Sequence, residues 1–378
     1  MMPGELRGQI NCGQLTCVSD PGTYKCIAMP PNVTVSIKDL IGTGTNDLLP
    51  MPQAATNAQK VIVSGWIKFD ENYTFAQGSE IVFADGLPND VNSGFIVTNG
   101  ATLMLDSDKG LGKETYLFGC ASLWRAIYVE ANSTLDIRPG CGIFDAQNAI
   151  ILRHHSTLLS NGATFQKNII SIRAIPGPND PPKINITTIL KDNLFFGGSP
   201  LSEVFGPLHY PLEGIDAENV SQLSVVSDDP NKPNVFSYYR EGTAMLRPIG
   251  INTVNTSLVV ENARFEHIGL IPTPVNPDLD LAGYGIFAEA DDNTTAQIYV
   301  KGFGIKGGAQ PDPVAFEDVY TGIRARGMNV VIHNAQFKDA STPIELAATV
   351  LPRSYQIYNN RFSSYLIAGV SADRLFPT

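Results

Sequence analysis

HNAQF, residues 333–337, is preceded by the β-branched run NVVI, and its form recurs along the chain: ENARF at 261–265, NNRF at 359–362 and DNLFF at 192–196. In each, an Asn stands three residues before a Phe. The runs ahead of them alternate among Val, Ile, Leu, Thr and Tyr, the period-two signal of a strand. Anchored on Phe, the segments ending at Phe144, Phe165, Phe196, Phe265, Phe303, Phe337 and Phe362 align, with Cys141, Gly162, Asn193, Asn262, Val300, Asn334 and Asn359 three residues earlier. Anchors Phe144 and Phe165 are 21 residues apart, and Phe337 and Phe362 are 25 apart.

A strand-only unit of this length is the mark of a β-solenoid. One coil cannot bury its inward side chains. Stacked coils give each strand two hydrogen-bonding neighbours and a continuous interior. Asn193, Asn262, Asn334 and Asn359 are then expected at sharp corners, since Asn tolerates a left-handed backbone and its amide can bond along a stack. Phe165, Phe196, Phe265, Phe337 and Phe362 are expected to stack inside, with Cys120 and Cys141 stacked one coil apart in the same way. Longer gaps between anchors hold IPGPNDPP (175–182), IPTPVNPDLDL (271–281) and GGAQPDP (307–313). Their Pro and Gly cannot continue a ladder, so they read as excursions that leave the coil and return. Phe303 and Phe316 compete for one anchor position.

The 378 residues carry 34 Gly, 26 Pro and a formal charge of −11. That acidity argues against nucleic acid and anionic membrane surfaces as partners, because no basic footprint is present. Nothing approaches the ~20 consecutive apolar residues of a membrane helix. Cys12, Cys17 and Cys26 cluster early, without a nearby His to complete a familiar zinc pattern. They read as buried thiols or one or two disulfides, and no cofactor is expected. MMPGELRGQI lacks a charged segment followed by an apolar one, so no signal peptide is visible. The chain is therefore either cytosolic or a piece of a longer exported protein.

Residues 1–60, with the Cys cluster and the PP at 30–31, are expected to form an N-terminal cap or extension shielding the first coil from edge pairing. Residues 61–378 are expected to form the solenoid, with a long loop insertion around 197–250. No amphipathic capping helix is evident after Tyr365, so further chain, a partner or a loop is expected there.

The stretch Cys120–Ile172 resembles the coils of parallel β-helix proteins in the pectate-lyase-like superfamily. More narrowly, a Cys (Cys120) ahead of a W-R-A-I strand (Trp124–Ile127), followed one coil later by D-A-x-x-A-I (Asp145–Ile150), resembles exported surface proteins of Bacteroidetes-type bacteria. The resemblance implies a right-handed parallel β-helix of about 10–12 coils. It also implies an extracellular or cell-surface location, as part of a longer chain. It specifies fold better than chemistry, since one scaffold hosts many functions.

Enzymes on such a scaffold place charged groups outward. Lyases need a cation or Arg for a uronate carboxylate and a nearby base, and hydrolases need two carboxylates. Arg324 and Arg326 alternate with Ile323 and Ala325, so both should face outward, where they can grip an anionic glycan or simply meet solvent. Asp291–Asp292 and Asp228–Asp229 read as turn formers. His154 and His155, adjacent before a strand, should point to opposite faces and so not share a metal. The N-T-D, D-D, G-H-G and R-I-K set of polygalacturonases is not present, nor is G-x-S-x-G. Sequons at Asn32, Asn72, Asn132, Asn185, Asn255 and Asn293 would matter only in a eukaryotic secretory route.

The expected function is a non-catalytic exported bacterial surface protein, a structural or adhesive rod displaying loops to glycans, surfaces or subunits. Two alternatives stand beside it: a polysaccharide lyase acting on an anionic glycan through Arg324 and Arg326, and a filament subunit self-associating through open ends.

Overall fold

A computed structural model describes residues 24–28, 33–41, 58–83, 93–120, 123–197, 212–229, 231–238, 248–268, 283–302, 314–347, 353–363 and 370–373. Its strands form three faces of one parallel coil. Two faces are 12-stranded sheets, running from Lys25–Ala28 to Arg361–Ser363 and from Thr34–Ser36 to Val370–Asp373. The third consists of two 5-stranded sheets, Tyr73–Phe75 to Thr187–Lys191 and Gln222–Val226 to Tyr355–Tyr358. Among the described residues every pair of neighbouring strands is parallel, and each strand pairs with its counterpart one coil away: Ala126–Val129 with Asn148–Leu152, Thr134–Ile137 with Thr157–Asn161, Gly142–Phe144 with Thr164–Gln166. The chain is a parallel β-helix protein.

Inside runs a column of seven phenylalanines, Phe165, Phe195, Phe236, Phe265, Phe316, Phe337 and Phe362. Successive ring centroids are 4.5 to 5.1 Å apart, with interplanar angles of 4 to 6°. The coil repeat of ~4.8 Å sets this spacing. Phe316 takes the contested anchor position, while Phe303 lies outside the described residues. Two expectations are out of phase by one residue. Phe195, not Phe196, faces inward, because Phe195 pairs in register with Phe165 and Phe236. Likewise Ile143, not Phe144, stands opposite Phe165.

Against the Phe column lies a column of glycines, Gly214, Gly250, Gly285 and Gly322. A Cβ on any of them would fall within 2.9 Å of a Phe ring and 2.6 Å of the next coil's carbonyl oxygen. Only Gly allows sheet and rings to approach so closely.

Left-handed residues mark all three corners. Asn262, Asn334 and Asn359 have φ of 53°, 56° and 54°, as expected, and the Asn359 amide donates to Asn334 Oδ1. Asn193 departs from the expected corner position. The left-handed residue there is Asp192, φ 55°, and Asn193 instead turns inward, 1% exposed. Its Oδ1 accepts from Ser160 Oγ (2.7 Å) and Ala163 N (3.1 Å), and its Nδ2 donates to Ser160 O (3.1 Å) and Asn234 Oδ1 (3.0 Å). Further left-handed corners are Asn99, Asn132, His155, Asn219 and Asn255 before the third face, and Asp145, Lys167, His267, Asp318 and Asp339 between the first and second.

The cysteines do not stack as expected. Gly142 pairs with Tyr116, which sets Cys141 over Thr115 at the start of the strand, whereas Cys120 follows its end. Cys26 and Cys120 are each disulfide-bonded, and Cys141 is a buried free thiol.

Within 1–60, Lys25–Ala28 pairs with Lys60–Ser64, Thr34–Ser36 pairs with Trp66–Phe69, and a helical turn, Ile37–Leu40, buries Ile37 and Leu40. Within 197–250, Glu213–Glu218, Gln222–Val226 and Asn234–Ser237 are strands, one in each face. The Pro-flanked chain between them had obscured their alternation. The excursions at 271–281 and 307–313 and the stretch from 364 to 369 lie outside the described residues.

Candidate functional site

Five strands of the second sheet read EGIDA, IGINT, YGIFA, TGIRA and TPIEL, beginning at Glu213, Ile249, Tyr284, Thr321 and Thr342. In each, the Ile points into the core and the next residue points out. The register therefore stacks Arg173, Asp216, Asn252, Phe287, Arg324 and Glu345 in one outward row on six successive coils.

The row is tightly cross-linked. Arg173 Nε lies 3.0 Å from Asp216 Oδ2, and Asn252 Nδ2 donates to Asp216 Oδ1 (3.3 Å) and, at 3.4 Å, to Glu213 Oε1. Arg324 Nε is 3.6 Å from Glu345 Oε1, and its Nη1 donates to the Tyr284 hydroxyl at 3.2 Å. The same guanidinium sits 5.3 Å from the Phe287 ring centroid, and Tyr284 meets Phe287 edge-on at 5.0 Å. Phe287 is thus a partly exposed ring braced on two sides.

Glu213 stands at the edge of this face, one coil from Ile170 and Ile249. Burial pushes its carboxyl up to about 7, reinforced by the Asp216 charge and opposed by Asn252 and Arg173. Burial likewise raises Asp216, against the pull of Arg173. Glu213 Oε2 has no hydrogen-bond partner.

Arg324 and Arg326 both face outward, as expected, but they are not a free pair. Arg324 is engaged by Tyr284, Phe287 and Glu345, and Arg326 Nη1 reaches Glu289 Oε1 at 4.0 Å. His154 and His155 precede the strand Thr157–Asn161, as expected, but they occupy the turn itself, and their rings stack 3.8 Å apart instead of pointing to opposite faces. Asp291 is a corner residue, donating its N–H to Asn255 Oδ1 at 2.8 Å and accepting from Asn255 Nδ2 at 2.9 Å. Among the described residues there is no cluster of three or more metal-ligating side chains. None of their helices is long and apolar enough to cross a membrane.

Arg173, Glu213, Asp216, Asn252, Tyr284, Phe287 and Glu345 escaped the sequence reading. The usable signal was the G-I-x or P-I-x phase, which puts the residue after each Ile in a common outward position.

No protein-family model matches the chain, and no curated protein matches it. Among solved structures, the chain is similar to an alginate lyase from Paenibacillus, at 16% identity and a TM-score of 0.32, over 92% of this chain and 99% of that one. It is also similar to the surface protein and adhesin PfbA of Streptococcus pneumoniae, at 12% identity and a TM-score of 0.27, over 90% of this chain and 100% of that one.

Proposed function

We propose that this chain is a structural or adhesive β-helix rod of an exported surface protein, contacting a linear glycan along the outward face of its second sheet. One observation carries the reading: the in-register row Arg173–Asp216–Asn252–Phe287–Arg324–Glu345. A β-helix repeats one outward position every ~4.8 Å, so the row offers a straight line of hydrogen-bonding groups interrupted by an aromatic ring. Such a mixture suits the hydroxyls and C–H faces of successive sugars. Export is supported by the disulfide-bonded Cys26 and Cys120, since disulfides persist in oxidising compartments.

A second reading, a polysaccharide lyase, is favoured by one contact: the Tyr284 hydroxyl held 3.2 Å from Arg324 Nη1, a phenol beside a cation. A lyase needs such a pair, as base and as carboxylate ligand.

The test is a polysaccharide panel scored together for retention of the glycan and for new unsaturated or reducing ends. Retention without product supports the rod. Product from an anionic glycan, lost in Arg324→Ala, replaces it with the lyase. No retention and no product overturns glycan contact at this face.

A further inference from the structure

The charge balance of the face bears on which glycan it takes. At the row and beside it, three guanidinium groups among the described residues are each matched by a carboxylate: Arg173 by Asp216 at 3.0 Å, Arg324 by Glu345 at 3.6 Å and Arg326 by Glu289 at 4.0 Å. A uronate or sulfate entering the row would have to displace one of these carboxylates, or sit beside it, on a chain whose formal charge is already −11. Like charges at such range repel, and a buried partner left unpaired adds a desolvation cost. The pairs that disarm the arginines toward anions also fix them as hydrogen-bond donors, with N–H groups held in a plane.

The neighbouring contacts point the same way. Phe287 is the aromatic member of the row, propped edge-on by Tyr284 at 5.0 Å and flanked by the Arg324 guanidinium at 5.3 Å. Its in-register neighbours are the Asn252 amide on one side and Arg324 on the other. A ring between planar polar groups matches a pyranose, whose axial C–H bonds form an apolar face and whose equatorial hydroxyls form a polar rim. A neutral sugar needs no cation on the protein, and the row offers none that lacks a partner.

Resting on the glycan-contact reading above, we propose that the second-sheet face is a binding site for an uncharged polysaccharide, with Phe287 as the stacking platform and Asn252, Arg324 and Glu345 as hydroxyl partners. This selects against the uronate substrate that a lyase requires.

The experiment is affinity electrophoresis of the whole chain in gels containing xylan, glucomannan, mixed-linkage β-glucan or starch, with alginate and polygalacturonate alongside, at about 50 mM and about 500 mM salt, where screening lengths differ about threefold. At least one neutral polymer should retard the protein equally at both salts. Phe287→Ala should weaken that binding roughly tenfold or more, and Phe287→Tyr should largely restore it, with melting curves showing that both variants fold. Retardation only by alginate or polygalacturonate, fading with salt, overturns the neutral-ligand assignment while leaving glycan contact standing. Neutral-polymer binding indifferent to Phe287→Ala overturns the placement on this face. No retardation by any polymer overturns both readings.

Discussion

Gly285 lies directly against the ring of Phe316: a Cβ added to it would stand 2.8 Å from Phe316 Cδ1, and also 2.6 Å from the Gly322 carbonyl oxygen. Two different obstacles therefore guard the position, one a side chain and one the backbone of the next coil. Gly285→Ala is expected to destabilise the rod by about 1–3 kcal/mol, the usual cost of overpacking a core. Phe316→Leu in the same chain removes the ring obstacle but not the carbonyl. The double variant should therefore recover only part of the loss. Urea unfolding of the two single variants and the double variant reads this directly; full recovery would show that the carbonyl contact does not matter.

The inward amide of Asn193 permits a sharper test, because it serves partners on both adjoining coils. Removing it leaves Ser160 O and Ala163 N without their side-chain partner, and breaks the bond to Asn234 Oδ1. Each unsatisfied buried polar group costs about 1–3 kcal/mol. Asn193→Leu, close in size, is thus expected to cost roughly 3 kcal/mol or more, although it adds apolar surface to an apolar core. Asn359→Ser, at a corner where the side chain is exposed, should cost less than about 1 kcal/mol. Equal losses at the two sites would refute the distinction between inward and corner asparagines.

That distinction also explains what the sequence could and could not show. The recurrence behind HNAQF made the solenoid legible, because strand period and coil period are both local or nearly local properties. Phase within a coil was harder. DNLFF offers two consecutive aromatics and two consecutive turn formers, and period-two alternation cannot choose between Phe195 and Phe196 without the neighbours above and below. The Gly-Ile pattern in EGIDA, IGINT, YGIFA and TGIRA would have fixed it, since the glycines must lie under the Phe rings. The site was less legible still. Asp216, Asn252, Phe287 and Arg324 are 35 to 37 residues apart in sequence, and the excursions between them vary in length, so only register brings them into one row.

Glu213 gives the face a pH signature. Its folded-state pKa, pushed up to about 7 from the ordinary value of 4.5, means that the native chain holds a proton the unfolded chain has released. Stability contributed by this group is therefore fully present below about pH 4.5, falls as pH rises toward 7, and is flat above that. Glu213→Gln, which cannot ionise, should remove this slope and leave the variant more stable than the parent at pH 8, by roughly 2 kcal/mol or less. At pH 4 the two should be nearly equal. Denaturant midpoints of both chains at pH 4, 6 and 8 decide it; a parent–variant difference that stays constant across the three would show that Glu213 is already ionised when folded.

Cys141 reports on the core from within. Its thiol is fully buried, donates to the Leu105 carbonyl oxygen at 3.2 Å, and is pushed up to about 12 by burial. The thiolate is the reactive form, so at pH 8 the folded chain presents almost none of it, and presents that little to no reagent. Iodoacetamide should accordingly leave Cys141 unmodified for as long as the surrounding coils stay closed. As urea is raised, the modified fraction should climb with the opening of those coils. Peptide mass spectrometry at this one residue separates its labelling from that of the other cysteines. Rapid modification in the absence of denaturant would mean that the coils around Leu105 and Cys141 open far more readily than their packing implies. Cys141→Ser, which puts a hydroxyl among apolar neighbours but keeps a donor for Leu105, should then lower the urea midpoint only modestly, whereas Cys141→Ala, with no donor at all, should lower it further.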